Sequence, residues 1–112
     1  MIAIQNYVFT QYRRCAAKRG IQFNISAGTF LSLAAAPCVY CTACSTNTAF
    51  RKQYAVKSWT YNGVDRVNSD LPYADGNVVA CCKACNAAKS DMPLVTFLSS
   101  EWLLNRIAVV KG

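Results

Sequence analysis

The sequence predicts a small α+β fold of one domain. Three observations carry that prediction: a helical period at the start of the chain, a strand, loop, strand and helix order in its second half, and four cysteines in two C-x-x-C pairs. The pairs are Cys38 with Cys41 and Cys82 with Cys85. Two such pairs a few tens of residues apart put four thiolates on two tight turns, the usual arrangement for a tetrahedral structural zinc. At 112 residues the chain is marginal for a self-sufficient core, so a metal staple is expected.

The elements follow in order. Residues 4 to 19 read as a helix, with Ile4, Val8, Tyr12, Cys15 and Ala16 on an inward stripe and Gly20 as the C-terminal stop. An extended piece, 21 to 25, leads to Ser26, an N-cap for a second helix that carries Phe30, Leu31 and Ala34 and stops before Pro37. The first cysteine pair comes next, extended to C-x-x-C-x-x-C by Cys44, which reads as a spare thiol or a substitute ligand. Residues 42 to 57 show no clear period and are expected to be a loop with Arg51, Lys52 and Lys57 on it. Residues 58 to 67 are rich in aromatic and β-branched side chains around Asn62-Gly63, giving two short strands or one broken by a bend. Residues 68 to 76 form a loop by composition, 77 to 80 a further strand, and a helix starts within the second cysteine pair. Cys81 offers the alternative spacing C-x-x-x-C with Cys85, which positions the sulfurs less well. A last helix is expected after Pro93, burying a stripe of Leu94, Phe97, Leu98, Trp102, Leu103 and Ile107. The organisation read from this is a helical lead-in over 1–36, a cysteine-pair core over 37–92 and a C-terminal helix over 93–112.

Twelve Lys and Arg against five acidic residues give a net charge of +7, which favours phosphate or another polyanion as partner. Charge alone does not separate DNA from RNA. Arg13, Arg14, Lys18 and Arg19 gather in the last turns of the first helix, and two readings stand: a solvated helix end, or a phosphate-contacting arm. Histidine is absent, which removes the commonest general base near neutral pH. The first residues, MIAIQNYVFTQYRR, do not read as a secretory signal, and no apolar run reaches the length of about 18 residues that a membrane span needs. An intracellular, reducing setting is expected, where cysteines at this spacing serve as ligands and not as disulfides.

The span from Cys38 to Phe97 resembles an HNH-type nuclease domain, the ββα-metal fold built around a four-cysteine zinc site. CVYC, NGVDRVNSDLPYADGNVVACCKACNAAK and SDMPLVTF carry the likeness, and the upstream YRRCAAKRGIQFNISAGTFLSL resembles the helical lead-in of such proteins. The resemblance implies that Asp65, at the end of the first strand, and Asn86, on the helix after the second knuckle, are ligands of a divalent ion such as Mg²⁺ or Mn²⁺. Asn77 matches the asparagine that ties the loop between the strands. Lys89 falls where a basic residue faces the phosphate backbone. Arg66 departs from the pattern, because the general-base histidine of these nucleases normally follows the aspartate.

In the resembled chemistry a histidine activates water while the divalent ion stabilises charge building on the phosphodiester. A guanidinium binds phosphate bidentately but does not take the proton of a water. Tyr73, or a hydroxide on the metal, would have to compensate. Bland alternatives stand beside each assignment: Asp65 paired with Arg66, Arg51 or another cation, Asn77 and Asn86 as loop and helix caps, and Cys15 as a small apolar residue on its helix. The expected function is metal-dependent hydrolysis of DNA by a zinc-stapled HNH-like endonuclease. The rival is an inactive HNH-like module, a structural or nucleic-acid-binding subunit of a nucleoprotein or viral assembly in the cytoplasm of a host or virus-infected cell. A zinc-ribbon-like protein interaction module is the third reading.

Overall fold

Gly20 ends the first helix in the left-handed conformation that glycine adopts most readily (φ +70°). In the computed structural model, which describes residues 1–112, this helix is α1, Ala3–Lys18. The Ile21 N–H donates to Ala16 O at 2.8 Å and the Gly20 N–H to Ala17 O at 3.0 Å, which satisfies two carbonyls the helix would otherwise leave open. Strand β1 (Phe23–Asn24) follows, and then α2 (Ala27–Ala35), where Ser26 Oγ accepts from the Thr29 N–H at 3.1 Å. Ile4, Val8 and Ala16 face inward as the helical period predicts, joined by Phe9. Cys15 does not. It is exposed, because the position lies at the margin of the buried stripe.

Residues 42 to 57 are not only loop. Asn47–Phe50 forms β2, paired antiparallel with β3 (Ser58–Tyr61) in the register Ala49 to Trp59. The strand carries little sequence signal because its inward positions are Asn47 and Ala49, polar and small. Asn62 separates β3 from β4 (Gly63–Arg66), and the two strands enter different sheets. A side chain at Gly63 would meet the Tyr12 hydroxyl, so any larger residue at this point of close approach requires the tyrosine to shift. The 68 to 76 loop contains the two-residue strand β5 (Tyr73–Ala74), parallel to β1, and leads to β6 (Val78–Cys81), antiparallel to β4 with Asp65 opposite Val79.

Helix α3 (Lys83–Lys89) starts on Cys82, whose Sγ accepts from the Cys85 N–H at 3.3 Å. The C-terminal segment is two helices, α4 (Leu94–Leu98) and α5 (Glu101–Lys111), not one. They break at Ser99-Ser100, where Ser100 Oγ caps α5 by accepting from the Leu103 N–H at 3.2 Å. The break turns Leu98 and much of Trp102 to the surface while Phe97 and Leu103 stay buried, so the predicted continuous stripe is halved. Two buried clusters result. One gathers Val8, Phe9, Ile25, Phe30 and Val64, and the other gathers five cysteines with Phe97 and Leu103. The β4–β6 ribbon lies between them, since Val64 belongs to the first cluster and Cys81 to the second.

Candidate metal centre and adjoining cleft

Cys38, Cys41, Cys82 and Cys85 are all buried, and their sulfurs lie within 4.8 Å of one another. A tetrahedron of sulfurs about 2.3 Å from a central ion has edges of about 3.8 Å. The Cys41 to Cys82 separation of 3.5 Å fits that edge, so the donor set suits a tetrahedral thiophilic metal such as zinc. Cys81 is buried outside this quartet and Cys44 is exposed, so neither alternative register is used. Hydrogen bonding from the Cys81 thiol lowers the pKa of Cys38 to about 4, whereas burial pushes Cys82 and Cys85 up. A metal entering the site therefore has to displace protons.

Backbone and side-chain bonds hold the two knuckles at this spacing. The Cys38 N–H donates to Ala43 O at 2.8 Å and the Val39 N–H to Ala80 O at 2.9 Å, which ties the first knuckle to β6. Asn62, fully buried, donates to Ala36 O and Ala43 O at 2.9 Å each. Its Oδ1 accepts from the Thr46 hydroxyl at 2.9 Å, and Thr46 Oγ1 in turn accepts from the Lys83 N–H at 2.9 Å. One asparagine thus joins the end of α2, the first knuckle and the start of α3. The Asn-Gly pair had signalled a turn; the side chain does more than the turn. Arg106 on α5 sets Nη2 at 3.9 Å from Cys82 Sγ, a cation beside the thiolates.

Next to this centre, β4 and α3 line a cleft of about 340 Å³ that contains Asp65, Arg66 and Asn86, with Tyr12 from α1, Arg19 just past the end of α1 and Tyr73 from β5. Asp65 is 7% exposed. Its Oδ2 accepts from the Tyr40 hydroxyl at 2.9 Å and lies 3.1 Å from Lys89 Nζ. Burial, and then the Asp65 charge, raise the Tyr40 pKa, so this phenol stays a donor. Arg66 does not pair with Asp65. Its Nη1 donates to Ser69 O at 2.6 Å and Leu71 O at 3.0 Å, with the guanidinium 5.3 Å from the centre of the Tyr73 ring. Asn77 spans the same loop, donating to Asn68 O and Pro72 O and accepting from the Asn68 N–H.

Lys89 corrects the expectation of a phosphate contact. It is 0% exposed, bonded to Asp65 and to Arg66 O at 3.0 Å, and no ligand in the cleft can reach it without unpacking α3. The reason is helical: Lys89 lies four residues after Cys85, on the buried face of α3, where its ammonium meets β4. Asn86, one residue on from Cys85, faces outward into the cleft. The bland pairing of Asp65 with a cation does occur, with Lys89 as that cation. Arg13, Arg14, Lys18 and Arg19 are all exposed, and of these only Arg19 lines the cleft, 3.7 Å from Asp91. Tyr12 is the cleft residue that sequence reasoning missed, having been read as core. It lies two turns before Arg19, the residue that caps α1, and both line the cleft; burial pushes its phenol pKa up.

In structure the chain is similar to the rare-cutting HNH restriction endonuclease PacI, with a TM-score of 0.66 over 96% of this chain and 77% of that one, at 20% sequence identity. The fold is that of an HNH endonuclease. No family model matches the sequence. Over 90 residues the chain is 28% identical to an uncharacterized protein of Acanthamoeba polyphaga mimivirus, an alignment that covers 80% of this chain and 15% of that relative. The chain thus spans a small part of the viral protein's length. No helix is long and apolar enough to cross a membrane.

Proposed function

We propose that this chain is an HNH-like endonuclease that hydrolyses DNA with a divalent ion, Mg²⁺ or Mn²⁺, and that zinc fills the four-cysteine centre as a structural staple. The observation that supports this most is the convergence of Asp65, Arg66, Asn86 and Arg19 on one cleft of an HNH endonuclease fold. Asp65 keeps one carboxylate oxygen for an ion, since Tyr40 and Lys89 both address the other, and the Asn86 amide supplies a second oxygen. The ion, when bound, would stabilise charge on the phosphate as the P–O bond breaks. Arg66 stands where the resembled nucleases place histidine. With Nη1 committed to the loop carbonyls, its remaining N–H groups turn to the phosphate, as does Arg19. Tyr73 and Tyr12, on the walls of the same cleft, offer hydroxyls for orienting water.

The Asp65–Lys89 pair favours a second reading. A buried ammonium already neutralises this carboxylate, as suits an inactive HNH-like module that binds nucleic acid within a nucleoprotein or viral assembly. Plasmid incubated with the zinc-loaded protein and Mg²⁺ or Mn²⁺ separates the two. Under the nuclease reading the parent nicks it and Asp65→Ala lowers the rate by at least about a hundredfold. Salt-dependent binding without nicking under either ion selects the inactive module.

A further inference from the structure

A second groove, about 570 Å³, runs between α1 and the β2–β3 hairpin and opens into the cleft just described, because Tyr12, Arg19, Tyr73 and Asn86 line both. Its walls are mostly apolar and aromatic, with Tyr7, Tyr61 and Phe50 beyond the shared residues, and no carboxylate lines it. Its only charges are Arg19 and Arg51. The guanidinium of Arg51 lies 4.1 Å from the centre of the Tyr7 ring and donates to the Tyr7 hydroxyl, so ring and cation are held together. Phe50, on the groove rim, is 64% exposed, a large aromatic surface that no neighbour in the fold covers. Such walls are too apolar for phosphate alone, and cationic side chains interleaved with aromatic rings are what a nucleobase on a phosphate backbone requires.

We infer that this groove takes an unpaired base of the DNA strand, next to the phosphate held in the Asp65 cleft. The inference rests on the endonuclease reading and names where the strand goes. The groove volume lies in the range of about 300–1,000 Å³ typical of small-ligand sites, enough for one nucleoside. A base stacked inside a duplex does not reach a groove set beside the backbone, so the occupant has to be extruded or already single-stranded. Stacking on tyrosine and phenylalanine tolerates any base, so the contact adds affinity and strand geometry without reading sequence.

Two probes of equal charge test this: a twelve-residue oligothymidylate, and the same length of abasic tetrahydrofuran phosphates. The full zinc-loaded chain should bind the first about tenfold more tightly. Phe50→Ala, on the surface and harmless to folding, should remove most of that preference while leaving the salt slope unchanged, and Tyr7→Leu should lower the preference as well. An oligonucleotide carrying 5-iododeoxyuridine should crosslink at Tyr7, Phe50 or Tyr61. Equal binding of both probes by a protein that still nicks plasmid overturns the groove assignment alone, as does a base preference that survives both substitutions. Failure to bind DNA of any kind overturns the endonuclease reading, and the groove assignment falls with it.

Discussion

Cys82→Ser leaves the chain unfolded at 25 °C, read as loss of near-ultraviolet circular dichroism together with loss of about one zinc per chain from the parent. The substitution is chosen because serine is a better helix N-cap than cysteine, so the bond from the Cys85 N–H to residue 82 survives and only the metal ligand is removed. The apparent binding free energy of a structural zinc in a small domain is about 10–16 kcal/mol. That equals or exceeds the whole stability of an ordinary domain, about 5–15 kcal/mol. The burial pattern gives the reason for expecting so much to rest on a metal. Five of the seven residues in the cluster that anchors α3, α4 and α5 are cysteines, so little conventional core replaces it. Chelation of the parent should have the same effect as the substitution. A Cys82→Ser chain that stays folded without metal would mean that Phe97 and Leu103 hold this half of the molecule unaided.

Lys89→Met destabilises the zinc-loaded protein by about 3–5 kcal/mol, the range for removing one partner of a buried ion pair. The ammonium is fully buried at 3.1 Å from Asp65, and without it the carboxylate keeps only Tyr40 as a close donor. Urea titration measures the loss. The double variant Asp65→Asn with Lys89→Met should recover most of it, because an uncharged amide no longer needs the cation. The salt dependence of DNA binding should not change. A lysine on phosphate would behave the other way, lowering the salt slope by about one while leaving stability within about 0.5 kcal/mol.

Lys89 also shows where reading the sequence stopped. The spacing of two C-x-x-C pairs made the four-cysteine cluster legible, since a pair of such pairs is the usual framework of a structural metal, and the helix over α1, the Ser26 cap and the Gly20 stop followed from local chemistry. Asp65 and Asn86 were legible as a pair only through resemblance, because nothing in their own neighbourhood sets an aspartate on a strand apart from a salt-bridge partner. Lys89 was assigned to phosphate by position in the motif, yet its i,i+4 spacing from Cys85 already placed it on the buried face of α3. Tertiary contacts decided the rest. Asn62 looked like half of a turn signal and is a buried tie across three segments, and β2 was hidden because its inward residues are asparagine and alanine. Tyr12 was hidden for a related reason: a tyrosine on an apolar helical stripe satisfies the pattern of a core residue while lining a cleft.

The Asp65 cleft holds either a divalent ion or only an internal ion pair. Crystals grown with Mn²⁺ and a short DNA, measured at the manganese and zinc absorption edges, decide it. A zinc peak among the sulfurs of Cys38, Cys41, Cys82 and Cys85, and a manganese peak between the Asp65 carboxylate and the Asn86 amide, are the predicted result. A zinc peak alone, with Asp65 still closed against Lys89 and Tyr40 while DNA occupies the cleft, would contradict it.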